Sequence, residues 1–248
     1  MIIYLAITSL IQPYTCLRGA DVLSSYYYCQ SIPGLVKEIP NMRNFLLDSG
    51  IFTFINSGKY VNMDEYIRNY AAFIRDYNIR DYVELDVDQI EGVEQTRRIR
   101  DKLENLVGWQ SIPVWHTIRG TESFIKDATE YKKICLGFFL TEGLSTKVTE
   151  KYAPKMISLA HKHNCKIHGL GFTKTTLLPK FHFDSVDSST WSMGKRFGSL
   201  SVFDKETGLM KQVVRPKGMK ANGAIIERYN LQQWRLFQDY AIKNLPTI

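Results

Sequence analysis

The sequence predicts an α/β protein: a single-domain (β/α)8, TIM-like barrel carrying a C-terminal hairpin and helix. Three observations predict it. Apolar runs of strand length alternate with amphipathic runs of helical period, the pattern of βαβ units around a parallel sheet. The chain has 248 residues, close to the ~250 that such a barrel typically needs. Acidic, glycine or histidine residues recur at the same end of strand after strand, a phase that scattered core polar groups would not keep.

The elements follow in order. "IIYLAIT" is an apolar first strand, and "FLLDSG" a second that ends in an acid and a glycine. "MDEYIRNYAAFIRDY" sets Tyr66, Tyr70, Phe73 and Tyr77 at helical spacing. "DYVELDVD" reads as a strand and "VEQTRRIRDKLENL" as a charged helix. "IPVWHT", "KKICLGFFL" and "KIHGLGF" are strands, with helices at "ESFIKDATEY" and "KYAPKMISLAHKHN" between them. "FDSVDSS" is a short strand, which makes about seven strand candidates before the tail. "SLSVFDKETGLMKQVVRP" turns at Glu206-Thr207-Gly208 between β-type flanks, so a hairpin insertion is expected at about 195–220. "NLQQWRLFQDYAIKNL" is the closing helix. No repeat, low-complexity tract or linker interrupts the pattern, so one domain is expected over residues 1–248.

Composition bounds the function. At 44% hydrophobic and 12% aromatic, the chain can bury a substantial core. The net charge is +7 and the sequence pI about 9.1. A basic balance suits a polyanionic partner such as nucleic acid, and equally a plain basic soluble protein. Cys16, Cys29, Cys135 and Cys165 are scattered without a CxxC, which argues against a zinc site or a disulfide framework and for a reducing cytoplasm. No segment is apolar enough over a sufficient length to span a bilayer, and "MIIYLAITSLIQPY" lacks the flanks of a signal peptide. A membrane partner is therefore not expected.

In barrels of this class, catalytic groups sit at the C-terminal ends of the strands. Those ends carry Asp48, Asp86, Asp88, His116, Gly137, Phe138, Glu142, His168, Gly171 and Asp187. Each has a plainer reading. Asp48 before Gly50 suits a turn, and Asp88 suits a helix N-cap. His116 suits a satisfied core histidine and Glu142 a loop cap. Asp184 and Asp187 could both cap a turn. Asp86 follows "YVEL" and is costly to bury without a partner. His161 and His163 are expected at the surface. No HxH occurs on a strand, so no catalytic metal and no cofactor are expected.

"LLDSGIFTF", "ELDVD", "IPVWH", "LGFFLTEG", "HGLGFT" and "SVDSSTW" occur in the order and at roughly the spacing of motifs in the tRNA-guanine transglycosylase superfamily, which this chain resembles over most of the barrel. It looks most like the phage and bacterial DpdA-type branch, the 7-deazaguanine DNA transglycosylases. The resemblance implies roles. Asp48 would be the general acid/base, Asp86 the base-reading aspartate and Asp187 the nucleophile. Gly137 and Phe138 would line the base, with Glu142 just after them and Gly171 nearby. His116 stands where the tRNA enzymes carry glutamine. Those enzymes also carry a CxCxxC…H zinc site after the nucleophile strand. This chain has no cysteine beyond Cys165, so no zinc subdomain is expected and DNA is preferred to tRNA as the substrate.

The residue types suit base exchange on their own terms. A carboxylate attacks C1′, holds the sugar covalently, and is displaced by the incoming base, as in retaining glycosidases. Asp187 and Asp48 could share that work. An ionised Asp86 could accept from a guanine-like base, with Phe138, Phe52 or Trp115 stacked on its face. The target base must leave the duplex. Lys195 and Arg196, beside Trp191, and Arg215, Lys217 and Lys220 could bind the phosphates or form a solvated face. The expectation is thus a pentosyltransferase acting on DNA, with a free 7-deazaguanine base such as the 7-cyano form as co-substrate. Alternatives are exchange on tRNA, a nucleoside hydrolase or deoxyribosyltransferase, and a barrel that binds nucleic acid without catalysis. A homodimer is left open.

Overall fold

The computed structural model describes residues 1–7, 13–56, 62–137, 146–172, 174–214 and 222–247. Eight parallel strands form the sheet: β1 (Ile2–Ile7), β2 (Asp21–Ser25), β3 (Asn44–Asp48), β4 (Asp81–Tyr82), β5 (Val114–Trp115), β6 (Lys133–Leu136), β7 (Lys166–Gly169) and β8 (Ser185–Ser188). Their order is β4-β3-β2-β1-β8-β7-β6-β5. The two ends of that order meet at a parallel bridge between Val83 and Ile112. The Glu84 N–H donates to Ile112 O at 3.1 Å and the Ile112 N–H to Tyr82 O at 2.8 Å. The sheet therefore curls into a ring, the expected (β/α)8 barrel.

Helices follow the strands. They are α1 (Tyr26–Ser31) and α2 (Pro33–Val36), α3 (Ile51–Asn56) and α4 (Met63–Asp76), α5 (Asp88–Glu91) and α6 (Val93–Val107), α7 (Gly120–Glu130), α8 (Thr146–Lys162), α9 (Leu178–Phe181) and α10 (Thr190–Phe197). An antiparallel hairpin, β9 (Ser199–Asp204) and β10 (Leu209–Val214), precedes the last helix, α11 (Gly223–Asn244). The hairpin begins later than the expected 195, because Lys195 and Arg196 belong to the last turn of α10; residues 215–220 lie outside the described residues. Helix α11 begins well before the predicted "NLQQ", since the Asn222 side chain caps it by accepting from Ala224 N and Ile225 N.

Strand β2 is the one that periodicity missed. "DVLSS" opens with an acid and closes with two serines, which looks like a turn. Asp21 is nevertheless fully buried. Its carboxylate accepts from Arg43 Nη2 at 2.6 Å, Arg43 Nε at 2.9 Å and Asn44 Nδ2 at 2.7 Å. Charge and hydrogen bonds from the edge of β3 make the burial tolerable.

Strand parity sorts the core into two parts. Tyr4, Ala6, Leu23, Leu46, Val83, Val114 and Cys135 form a small cluster inside the ring. Ile3, Leu5, Ile7, Leu47, Trp115, Leu136 and Val186 face the helices in a much larger one. Helix α11 fills the place of a last barrel helix. Trp234 and Phe237 are buried on it, and burying a Phe contributes about 2–3 kcal/mol. Gln238 Nε2 donates to Ile3 O at 2.6 Å and Asp21 O at 2.7 Å, tying α11 to β1 and β2.

Candidate active site

The parity that fills the ring also aims the strand-end residues. Leu46 points inward, so Asp48, two residues on, points into the mouth of the barrel. By the same count Val114 brings in His116, Cys135 brings in Gly137, and Ser185 shares its face with Asp187. Asp48, Asp86, His116, Gly137, Gly171, Asp187 and Phe52 all line one cavity of about 320 Å3. That is near the lower end of small-molecule sites. Phe138 and Glu142 lie outside the described residues.

Asp48 takes the turn role that the sequence offered and also lines the cavity. Its Oδ2 accepts from the Gly50 N–H at 3.0 Å, so it does build a turn. Gly50 has φ +69, and a Cβ there would lie 3.0 Å from Tyr27 N, so the turn needs glycine. Two tyrosines of the predicted aromatic stripe on α4 brace this backbone and its neighbour. Tyr66 OH donates to Ser49 O at 2.6 Å, and Tyr70 OH donates to Leu47 O at 3.3 Å and to Val83 O, just beyond β4, at 2.9 Å. Burial, with the negative charges of Asp187 and Asp86, pushes the Asp48 carboxyl up to about 6 despite the Gly50 bond.

Asp187 is held differently. Its Oδ1 accepts from the Gly171 N–H at 2.7 Å, with His168 Nε2 at 3.3 Å. Asp184 turns the other way. Its Oδ2 accepts from the Ile167 N–H at 2.8 Å and sits 2.9 Å from His161 Nε2. Asp184 therefore braces β7 against β8. His161, expected at the surface, is half-buried because its ring is drawn to that carboxylate.

Across the mouth, His116 Nε2 lies 2.6 Å from Asp86 Oδ2. Burial works against a charged imidazole, but the bond to Asp86 and its negative charge outweigh burial and raise the His116 pKa. Gly137 makes room for that ring: a Cβ there would lie 2.8 Å from Val114 Cγ1 and 2.9 Å from His116 Nδ1. Behind the pair stands Arg119, which no sequence signal marked. Its Nη1 lies 2.8 Å from Glu84 Oε1, and its Nη2 donates to Asp88 Oδ1 at 2.9 Å. Asp88 is thus an ion-pair partner and not the predicted N-cap; the buried guanidinium attracts its side chain away from the helix terminus. Burial raises the pKa of Glu84, opposed by Arg119 and Arg100.

Two further expectations need correction. Trp191, placed at a nucleic-acid surface, is 0% exposed, and its Nε1–H donates to Ala6 O at 3.0 Å. It faces inward from the first turn of α10 and locks that helix to β1. Trp115 points outward from the ring, packs edge-on against Phe124 at 5.4 Å and does not line the cavity. Lys195 is half-buried, with its Nζ 2.9 Å from Glu227 Oε1. Arg196 is exposed beside Phe197. Arg215, Lys217 and Lys220 lie outside the described residues. Tyr28, from the "YYYC" run, lines the cavity, but nothing in three consecutive tyrosines marked which one faces it.

Among the described residues, no group of three or more His, Cys, Asp or Glu side chains is arranged to hold a metal ion. No described helix is long and apolar enough to cross a membrane.

Comparison with protein-family profiles finds no match. Comparison with curated proteins finds none either. Among solved structures, the chain is similar to a protein from Coccidioides immitis provisionally assigned as a fructose-1,6-biphosphate aldolase. The two share 10% identity and a TM-score of 0.56, over 98% of this chain and 89% of that one. At that identity the likeness is one of fold, and the fold it supports is the (β/α)8 barrel.

Proposed function

We propose that the chain is a transglycosylase that exchanges guanine in DNA for a 7-deazaguanine base through a glycosyl–aspartate intermediate. One observation carries the reading. Two carboxylates in contrasting environments, Asp48 and Asp187, line the same cavity as a buried Asp86–His116 pair. Asp48, pushed up to about 6, is suited to carry a proton near neutrality. Asp187, with its Oδ1 engaged by Gly171 and His168, is suited to attack with Oδ2.

The steps balance. Asp187 Oδ2 forms a bond to C1′ as the bond to guanine breaks, and Asp48 gives its proton to the departing base. The incoming 7-deazaguanine then loses its ring proton to Asp48. Its nitrogen bonds to C1′, and Asp187 leaves as a carboxylate. Asp86 would read the base. Asp86 lines the cavity, and as a carboxylate it would accept from the amino and ring N–H groups of a guanine-type base. His116, favoured in its charged form by Asp86, would donate to a ring carbonyl. Phe52 offers a face on which to stack.

A second reading keeps this chemistry and changes the substrate to a free nucleoside. The burial of Trp191 and the ion pair of Lys195 favour it, because both subtract from the expected nucleic-acid surface. The deciding experiment incubates the pure protein with 7-cyano-7-deazaguanine and, separately, guanine-containing DNA, tRNA or deoxyguanosine. Mass spectrometry of the nucleosides follows. Modified deoxynucleoside from DNA supports the proposal. Product from deoxyguanosine alone supports the second reading, and modified ribonucleoside alone supports tRNA.

A further inference from the structure

His168 is completely buried in the barrel interior, and neither displacement step uses it. A leucine would fill that space without two polar nitrogens to satisfy. Both nitrogens are engaged. Nδ1 lies 2.9 Å from Ser185 Oγ, and Nε2 lies 3.3 Å from Asp187 Oδ1. Strand register builds the arrangement. His168 and Ser185 are paired across β7 and β8, while Tyr4 and Asp187 are paired across β1 and β8. Tyr4 meets the His168 ring edge-on, 5.7 Å between centroids, and prevents it from tilting away.

The hydrogen-bond roles follow from the acceptor. An ionised carboxylate only accepts, so Nε2 must carry a proton. In the neutral ring Nδ1 is then the acceptor, and the Ser185 hydroxyl donates to it. A partner on the far nitrogen fixes the tautomer on the near one. Asp187 Oδ1 therefore takes two donors, Gly171 N–H and His168 Nε2–H, and rotation of the carboxylate would break both.

We propose that His168, held in its Nε2–H tautomer by Ser185, is the positioning residue that aims Asp187 Oδ2 into the cavity. The kinetic part of this proposal rests on the base-exchange reading, and the spectroscopic part does not.

The test has two arms. In the first, nitrogen-15 labelled histidine is followed by NMR, with His168 assigned by its loss in His168→Gln. The expected signature is a protonated Nε2 and a bare Nδ1, with the Nε2 signal moving in Asp187→Ala and the Nδ1 signal in Ser185→Ala. A proton on Nδ1 with a bare Nε2 overturns the proposal. In the second arm, exchange is measured on guanine-containing DNA with 7-cyano-7-deazaguanine. His168→Leu should lower kcat roughly 10- to 100-fold while KM for the free base moves less than about twofold. His168→Gln, whose amide N–H reaches the same oxygen, should recover most of the loss. A Gln variant no better than Leu, or a Leu variant equal to wild type, overturns the proposal. If His168→Leu does not fold, Ser185→Ala replaces it and should show a smaller loss in kcat; an unchanged kcat overturns the proposal. If wild-type protein exchanges no base, the functional reading falls, and the tautomer alone decides whether His168 holds Asp187.

Discussion

His116 Nε2 and Asp86 Oδ2 lie 2.6 Å apart at the mouth of the barrel, brought together across 30 residues of chain. Gly137, directly after β6, leaves the room this pair needs. Gly137→Ala should push the imidazole aside, cost about 1–3 kcal/mol through overpacking, and weaken binding of 7-cyano-7-deazaguanine. Urea denaturation and calorimetric titration of the base check the two effects. Full stability with unchanged base affinity would remove the pair from the base site.

Asp48 makes stability depend on pH with a definite sign. Its folded-state pKa, about 6, is raised above the ordinary aspartate value of 3.8, so the folded protein binds the extra proton. Its contribution is fully present below about pH 4 and is lost as pH rises through about 6. Asp48→Asn should therefore be more stable than wild type at pH 7, by up to about 3 kcal/mol, and no more stable at about pH 4. Urea midpoints at the two pH values read this directly. The same variant should lose exchange, and wild-type kcat/KM should decline above about pH 6, where the proton donor ionises.

Asp187→Asn keeps an oxygen for the Gly171 N–H and so should fold normally. It should lower exchange by roughly a thousandfold or more, because the attacking carboxylate is gone. Circular dichroism and the nucleoside assay together separate the two effects. Retained turnover would remove Asp187 from the nucleophile role.

Arg119 stands between buried Glu84 and Asp88. Arg119→Leu leaves both acids without that partner and should cost about 3–5 kcal/mol, measured by urea denaturation at neutral pH. A cost under about 1 kcal/mol would mean that the acids take up protons and neutralise themselves.

Neutralising Arg215, Lys217 and Lys220 together should flatten the salt dependence of DNA binding, since each cation withdrawn from a phosphate reduces the slope by about one. Fluorescence anisotropy across a salt series is sufficient. An unchanged slope would assign all three to solvated surface.

Much of the fold is legible because period and length are local properties. Alternating apolar runs announce seven of the eight barrel strands, and "ETG" announces the hairpin. The inward aim of Asp48, His116 and Asp187 is also legible, because side-chain direction in a strand has a period of two. Strand β2 is not, because what makes Asp21 buriable is Arg43 and Asn44, at the edge of a different strand. Trp191 fails for the complementary reason. Its neighbours Lys195 and Arg196 are polar, but the face it occupies on α10 is set by packing against β1.

Local pattern was thus enough for the barrel and for the end of it at which the acids gather. Which groups act on one another was fixed by folding alone. His116 meets Asp86, His168 stands behind Asp187, and Arg119 joins Glu84 to Asp88. Those pairings, and the burial that raises Asp48, depend on the closed ring, which sets residues far apart in sequence within hydrogen-bond distance and removes the water that would otherwise screen them.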